Sequence, residues 1–143
     1  MKYIFLAIIT FTFSSVLHSQ KSDTKALYSK AIEAQIDFEL QSNKYSSMYI
    51  TFMDERFNDT KLTHHAVTLK NLSGKQLKSK SRKGIDIIEI YPAKLFDNKI
   101  LIETLSIYKK RKKVTIYGKS TYFFEYDCEK EKYILVDKSQ KMI

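Results

Sequence analysis

Ten of the chain's 25 basic residues are gathered into two short segments, and these hold the side chains with the clearest chemical capacity. Residues 73–84 read SGKQLKSKSRKG and carry Lys75, Lys78, Lys80, Arg82 and Lys83 with no acid, while residues 109–113 are Lys109-Lys110-Arg111-Lys112-Lys113. Ammonium and guanidinium groups at that density attract phosphate, sulfate or carboxylate through charge-assisted hydrogen bonds, and arginine adds a planar fork that meets two oxygens at once. The chemistry expected of all ten is anion binding. The competing expectation is that they are solvated loop tips that keep the protein soluble.

Other reactive side chains are sparse. His64 and His65 are neighbours, and on a strand neighbours point to opposite faces, so they do not readily share a metal; His64 is expected to be solvated and His65 half-buried. Cys128 is the only cysteine, which excludes a disulfide framework and a Cys-rich zinc site; its turn, Asp127-Cys128-Glu129-Lys130-Glu131, disfavours the thiolate that a nucleophile needs. The carboxylates Asp54, Glu55, Asp86, Glu89, Glu103 and Glu125 could supply acid–base chemistry only where burial displaced one of them. Glu103, in an otherwise apolar strand, is the best placed, and it is expected on the sheet's open face. With three glycines there is no phosphate-cradling loop, and neither HExxH nor GxSxG occurs. No catalytic residue, metal ligand or cofactor is therefore expected.

The first twenty residues, MKYIFLAIITFTFSSVLHSQ, place Lys2 before an apolar run from Tyr3 to Phe13 and a polar end, the layout of a secretory signal peptide. The run is shorter than the roughly 20 apolar residues of a membrane-spanning helix. The expected organisation is a signal peptide over 1–19 and a single domain over 20–143, exported to the periplasm or secreted. Without Lys2 the chain keeps 24 basic and 16 acidic residues, and the two basic segments hold the whole positive excess. An exported basic protein is expected to meet an anionic polysaccharide, a lipid headgroup or an acidic protein surface rather than nucleic acid.

The elements that position these residues follow from hydrophobic period. Leu27, Ala31, Ala34 and Phe38, flanked by Tyr28, Ile32, Ile36 and Leu40, predict a helix from about Ser22 to Gln41 with a broad apolar face. Alternating β-formers then predict strands near 47–56, 62–72, 85–91, 99–108, 114–126 and 133–136, with Gly118 at a bulge or bend and Ile87, Ile88 and Ile90 in a strand covered on both faces. Short connections such as 109–113 and 128–131 suit hairpins. The expected fold is α+β, one N-terminal helix packed on a curved antiparallel sheet of about six strands. In a simple meander both basic segments fall at one pole. The turns bearing Asp54, Glu55, Asp59, Asp97, Asp127, Glu129 and Glu131 fall at the other.

A helix ahead of a long-stranded meander resembles the cystatin-like and nuclear-transport-factor-2-like folds, an architectural likeness that implies no function. The stretch IDIIEIYPAKLFDNKILIETLSIYKKRKK and the ending YFFEYDCEKEKYILVDK are similar to uncharacterised small exported proteins of Bacteroidota, which implies export and carries no catalytic motif. The expected function is that of a small exported, non-catalytic binding or structural protein. Two alternatives stand beside it: an enzyme with a pocket between helix and sheet, and a subunit or inhibitor that recognises a protein partner through its sheet edge or acidic end.

Overall fold

The structure is a computed structural model that describes residues 24–41, 47–53, 57, 64 and 67–143. The expected signal peptide, His65 and the acidic positions Asp54, Glu55 and Asp59 lie outside the described residues. The elements are helix α1 (24–41), strands β1 (Ser47–Phe52) and β2 (Thr68–Asn71), helix α2 (Gly74–Lys80), and strands β3 (Ile85–Ile90), β4 (Lys94–Phe96), β5 (Lys99–Lys110), β6 (Lys113–Asp127) and β7 (Lys132–Met142). The fold is α+β, with α1 packed on a mixed, open sheet of seven strands in the order β2-β1-β3-β5-β6-β7, β4 pairing with β5.

The helical stripe of α1 buries Leu27, Tyr28, Ala31, Ile32 and Ile36 against Ile50, Phe52, Ile88, Ile90, Ile102, Tyr122 and Phe124. Fully burying each leucine, isoleucine or phenylalanine among them favours folding by about 1.5–3 kcal/mol, so this layer is the main stabilising unit. Tyr28 anchors one end: its ring meets Phe52 edge-on at 5.6 Å and its hydroxyl accepts a hydrogen bond from the Ala93 backbone N–H at 2.9 Å. Ile87 and Ile107, paired across β3 and β5, point to the opposite face and are buried there too, as the double parity of the isoleucines predicts. The bulge expected at Gly118 lies beside it: the register passes from Ser106↔Gly118 to Ile107↔Ile116, leaving Tyr117 as the extra residue.

The sheet corrects the antiparallel meander in one half. β2, β1 and β3 are mutually parallel, while β3 through β7 are antiparallel. A parallel return needs a crossover of about a dozen residues, and residues 72–84 supply it by folding as α2. The expected loop over 73–84 is therefore part helix. Its single apolar residue, Leu77, gave no amphipathic period, yet Lys, Gln and Leu are good helix formers and the Ser73 N–H donates to Gln76 Oε1 at 3.0 Å at the start. The first strand also ends at Phe52 rather than 56, and β7 runs on to Met142 because β6 offers a long antiparallel partner.

Candidate functional site: a cationic cleft at one pole

The two basic segments meet at the pole where β3 begins and β5 ends. Ile85 pairs with Lys109, so the β5–β6 hairpin tip stands beside the turn that leaves α2. That turn is closed by Ser81 N–H to Leu77 O at 2.9 Å and Gly84 N–H to Ser81 O at 3.3 Å. The hairpin tip is two residues, Arg111-Lys112, between the paired Lys110 and Lys113, and Arg111 takes a φ of 55° that non-glycine residues rarely adopt. This conformation accompanies the backbone bond that joins the two segments, Arg111 N–H to Ser81 O at 2.7 Å. Between them lies an open cleft of about 420 Å³ lined by Lys78, Ser81, Arg82, Arg111 and Lys112.

Four of the ten candidate cations therefore line one cleft. Lys78, Arg82, Arg111 and Lys112 are exposed there, and none of the lining residues among those described is acidic. The others are placed differently. Lys80 holds its ammonium 5.8 Å from the Tyr49 ring centre, a cation–π contact that also shows α2 to lie on the face opposite α1, because Tyr49 alternates with the buried Met48 and Ile50. Lys75 sits in the first turn of α2, away from the junction, and Lys83 is exposed in the following turn. Lys109 is half-buried opposite Ile85 and Val114, and Lys110 and Lys113 close the hairpin. The meander argument placed both segments at one pole; the route is instead a parallel crossover, with α2 returning the chain to the start of β3.

The far pole mixes acidic side chains with lysines. Asp97, Asp127, Glu129 and Glu131 lie in the turns at the other end of β5 and β6. Lys130 pairs with Asp127 at 3.0 Å and holds its carboxyl below the usual carboxylate range. Cys128 is an exposed free thiol in that turn.

A polar network and an adjoining cavity escaped the sequence reading. Beneath α1, Gln35 is buried with all four hydrogen-bonding positions of its amide occupied: Nε2 donates to Glu39 Oε1 at 2.9 Å and Ser106 Oγ at 3.1 Å, and Oε1 accepts from Thr104 Oγ1 and the Tyr122 hydroxyl, each at 2.8 Å. Ser106 Oγ also donates to Glu39, and Gln140 Nε2 donates to the Tyr122 hydroxyl at 3.1 Å. Burial pushes the Tyr122 phenol up, and the Gln140 bond partly offsets that. The available signal was the row Leu27, Ala31, Gln35, Glu39, in which a helical i, i+4 apolar series turns polar opposite Thr104 and Ser106. Beside Glu39 is a cavity of about 220 Å³, also lined by Met48, Gly84, Asp86 and Tyr117; this is below the roughly 300 Å³ at which ligand pockets begin.

Glu103 faces the open side, as expected, but it is half-buried between Lys119 at 2.5 Å and Lys94 at 3.1 Å. The hydrogen bond from Lys119, with further help from Lys94, holds its carboxyl below the usual range, which suits a structural carboxylate rather than a general acid. Burial and the nearby Glu89 and Glu103 push the adjacent Tyr91 phenol up. His64 corrects the expectation of a solvated ring: its side chain is only 2% exposed, with Nε2 3.3 Å from Asp37 Oδ1 on α1. Among the described residues no three His, Cys, Asp or Glu side chains are grouped to hold a metal ion, and no helix is long and apolar enough to cross a membrane.

No protein-family model matches the chain, and no curated protein or solved structure is significantly similar to it. The chemistry of the cleft must therefore carry the functional argument.

Proposed function

We propose that this is a small, exported, non-catalytic binding protein that uses the cleft between α2 and the β5–β6 hairpin to seat anionic groups of a polymer or surface. The observation that carries the reading is the Arg111 N–H to Ser81 O bond, which fixes two basic segments as the walls of one cleft and so sets it apart from a pair of independent solvated tips. Two guanidinium and two ammonium groups facing one hollow repel each other until an anion enters, so binding relieves an existing cost. The leader-like residues 1–19 support export, and the similarity of the two quoted stretches to exported Bacteroidota proteins supports it further. The long helix across the sheet is in keeping with a cystatin-like or nuclear-transport-factor-2-like relationship.

Salt-dependent binding to a duplex DNA, used only as a polyanion of known charge density, tests the site. Each phosphate neutralised contributes about −0.9 to the slope of log affinity against log salt, so Arg82→Ala, Arg111→Gly and Lys112→Ala together should flatten the slope by roughly 2.7. Lys130→Ala with Lys132→Ala, at the far pole, should leave it nearly unchanged. Equal losses from the two sets would mean that net charge, with no site, accounts for the binding. Arg111→Gly suits the test because glycine accepts the positive φ.

A further inference from the structure

We infer that the anionic surface met by the basic pole is a lipid bilayer, with Val114 and Ile116 entering the interface while Lys78, Arg82, Arg111 and Lys112 engage lipid phosphates. This rests on the anion-binding reading above and adds a partner to it. The new observation is apolar. Val114 and Ile116 are 50% and 44% exposed, and they lie two and four residues beyond the Arg111-Lys112 hairpin tip. Their register places them opposite Lys109 and Ile107, so both side chains project from the face that carries Ile107. That is also the face on which α2 lies, as the Lys80–Tyr49 contact shows. The exposed apolar pair and the α2 wall of the cleft thus share one side of the molecule.

A soluble polyanion satisfies the cations and leaves those two side chains in water. A bilayer satisfies both, because phosphates lie at headgroup level and apolar side chains bury roughly 5–10 Å into the headgroup/acyl boundary. Charge alone binds weakly and is lost as salt rises, whereas a small apolar insertion adds a salt-resistant part. The Lys94–Glu103–Lys119 ion pairs occupy the same face further along β5 and β6, so the docking region is confined to the basic end.

The chain contains no tryptophan, so a single introduced indole reports its own surroundings without background. The mature protein, residues 20–143, carrying Ile116→Trp is titrated with vesicles of phosphatidylcholine and phosphatidylglycerol, with pure phosphatidylcholine vesicles, and with the same DNA duplex. Phe96→Trp, at the exposed Phe96 near the far pole, is the control. The expected result is a blue shift of the indole at position 116 with the phosphatidylglycerol vesicles only, and none at position 96. In co-sedimentation, Val114→Ser with Ile116→Ser should weaken vesicle binding about tenfold and leave duplex binding unchanged. Removing three cleft cations should weaken vesicle binding on the order of 100-fold and weaken duplex binding too. Duplex binding without vesicle binding, or vesicle binding with an unmoved indole at position 116, overturns the bilayer inference and leaves the anion site standing. If the cation variant binds both partners as the wild type does, the anion-binding reading falls and the inference falls with it.

Discussion

Replacing Gln35 with leucine keeps the approximate volume of a buried side chain and deletes the amide at the centre of the polar layer under α1. Four hydrogen bonds disappear together. The Thr104 and Tyr122 hydroxyls lose an acceptor, and Glu39 and Ser106 lose a donor, all at buried positions. Each buried group left unsatisfied costs about 1–3 kcal/mol; Ser106 still donates to Glu39 and Tyr122 still accepts from Gln140, so a total of about 3–5 kcal/mol is expected. Tyr122→Phe is the milder comparison. It leaves Gln35 Oε1 with its bond from Thr104, and should cost about 1–2 kcal/mol. Gln35→Glu adds a diagnostic sign. Its carboxylate would face that of Glu39 across a contact now 2.9 Å long, which raises its folded pKa above the unfolded value. Relative to wild type, the variant's stability would then be greatest below the unfolded carboxyl pKa and fall as pH rises through the raised folded pKa. Urea unfolding followed by far-ultraviolet circular dichroism measures all three. A Gln35→Leu protein within 1 kcal/mol of wild type, or a Gln35→Glu protein indifferent to pH, would refute the account of this layer as a closed, dry network.

Gly84 takes a φ of 92° and an added Cβ would meet the Tyr108 hydroxyl, so Gly84→Ala should cost about 1–3 kcal/mol in thermal or urea unfolding; the double variant with Tyr108→Ala should recover only the collision and not the backbone part. Glu103 is held ionised by Lys119 and Lys94, so its contribution is present above its unfolded pKa near 4.5 and is lost as pH falls through the lower folded value. With both lysines substantially exposed that contribution is about 0.2–1 kcal/mol, and Glu103→Gln should flatten the corresponding acid limb of a stability–pH curve.

Local pattern alone determined much of this protein. The 3.6-residue period before residue 41 specified α1, the alternation after residue 84 specified β3, β5 and β6, and the isoleucines of both parities marked β3 as central, because burial of alternating faces leaves its mark on neighbouring residues. The ten candidate cations were legible for the same reason, as charge is a property of composition. The tertiary structure decided what depends on distant partners. Whether β3 runs parallel or antiparallel to β1 and β2 is set by its neighbour β1 and by a crossover helix with one apolar residue, too few to show a period. Gln35 and Glu39 are polar residues on the buried row of α1, and Thr104, Ser106 and Tyr122, some seventy or more positions away, supply the partners that make their burial tolerable. The division of the ten cations into four that line a cleft and six that do not was settled by one backbone bond between residues 81 and 111, because hydrogen-bond pairing across the sheet, and not charge, fixes which loops become neighbours.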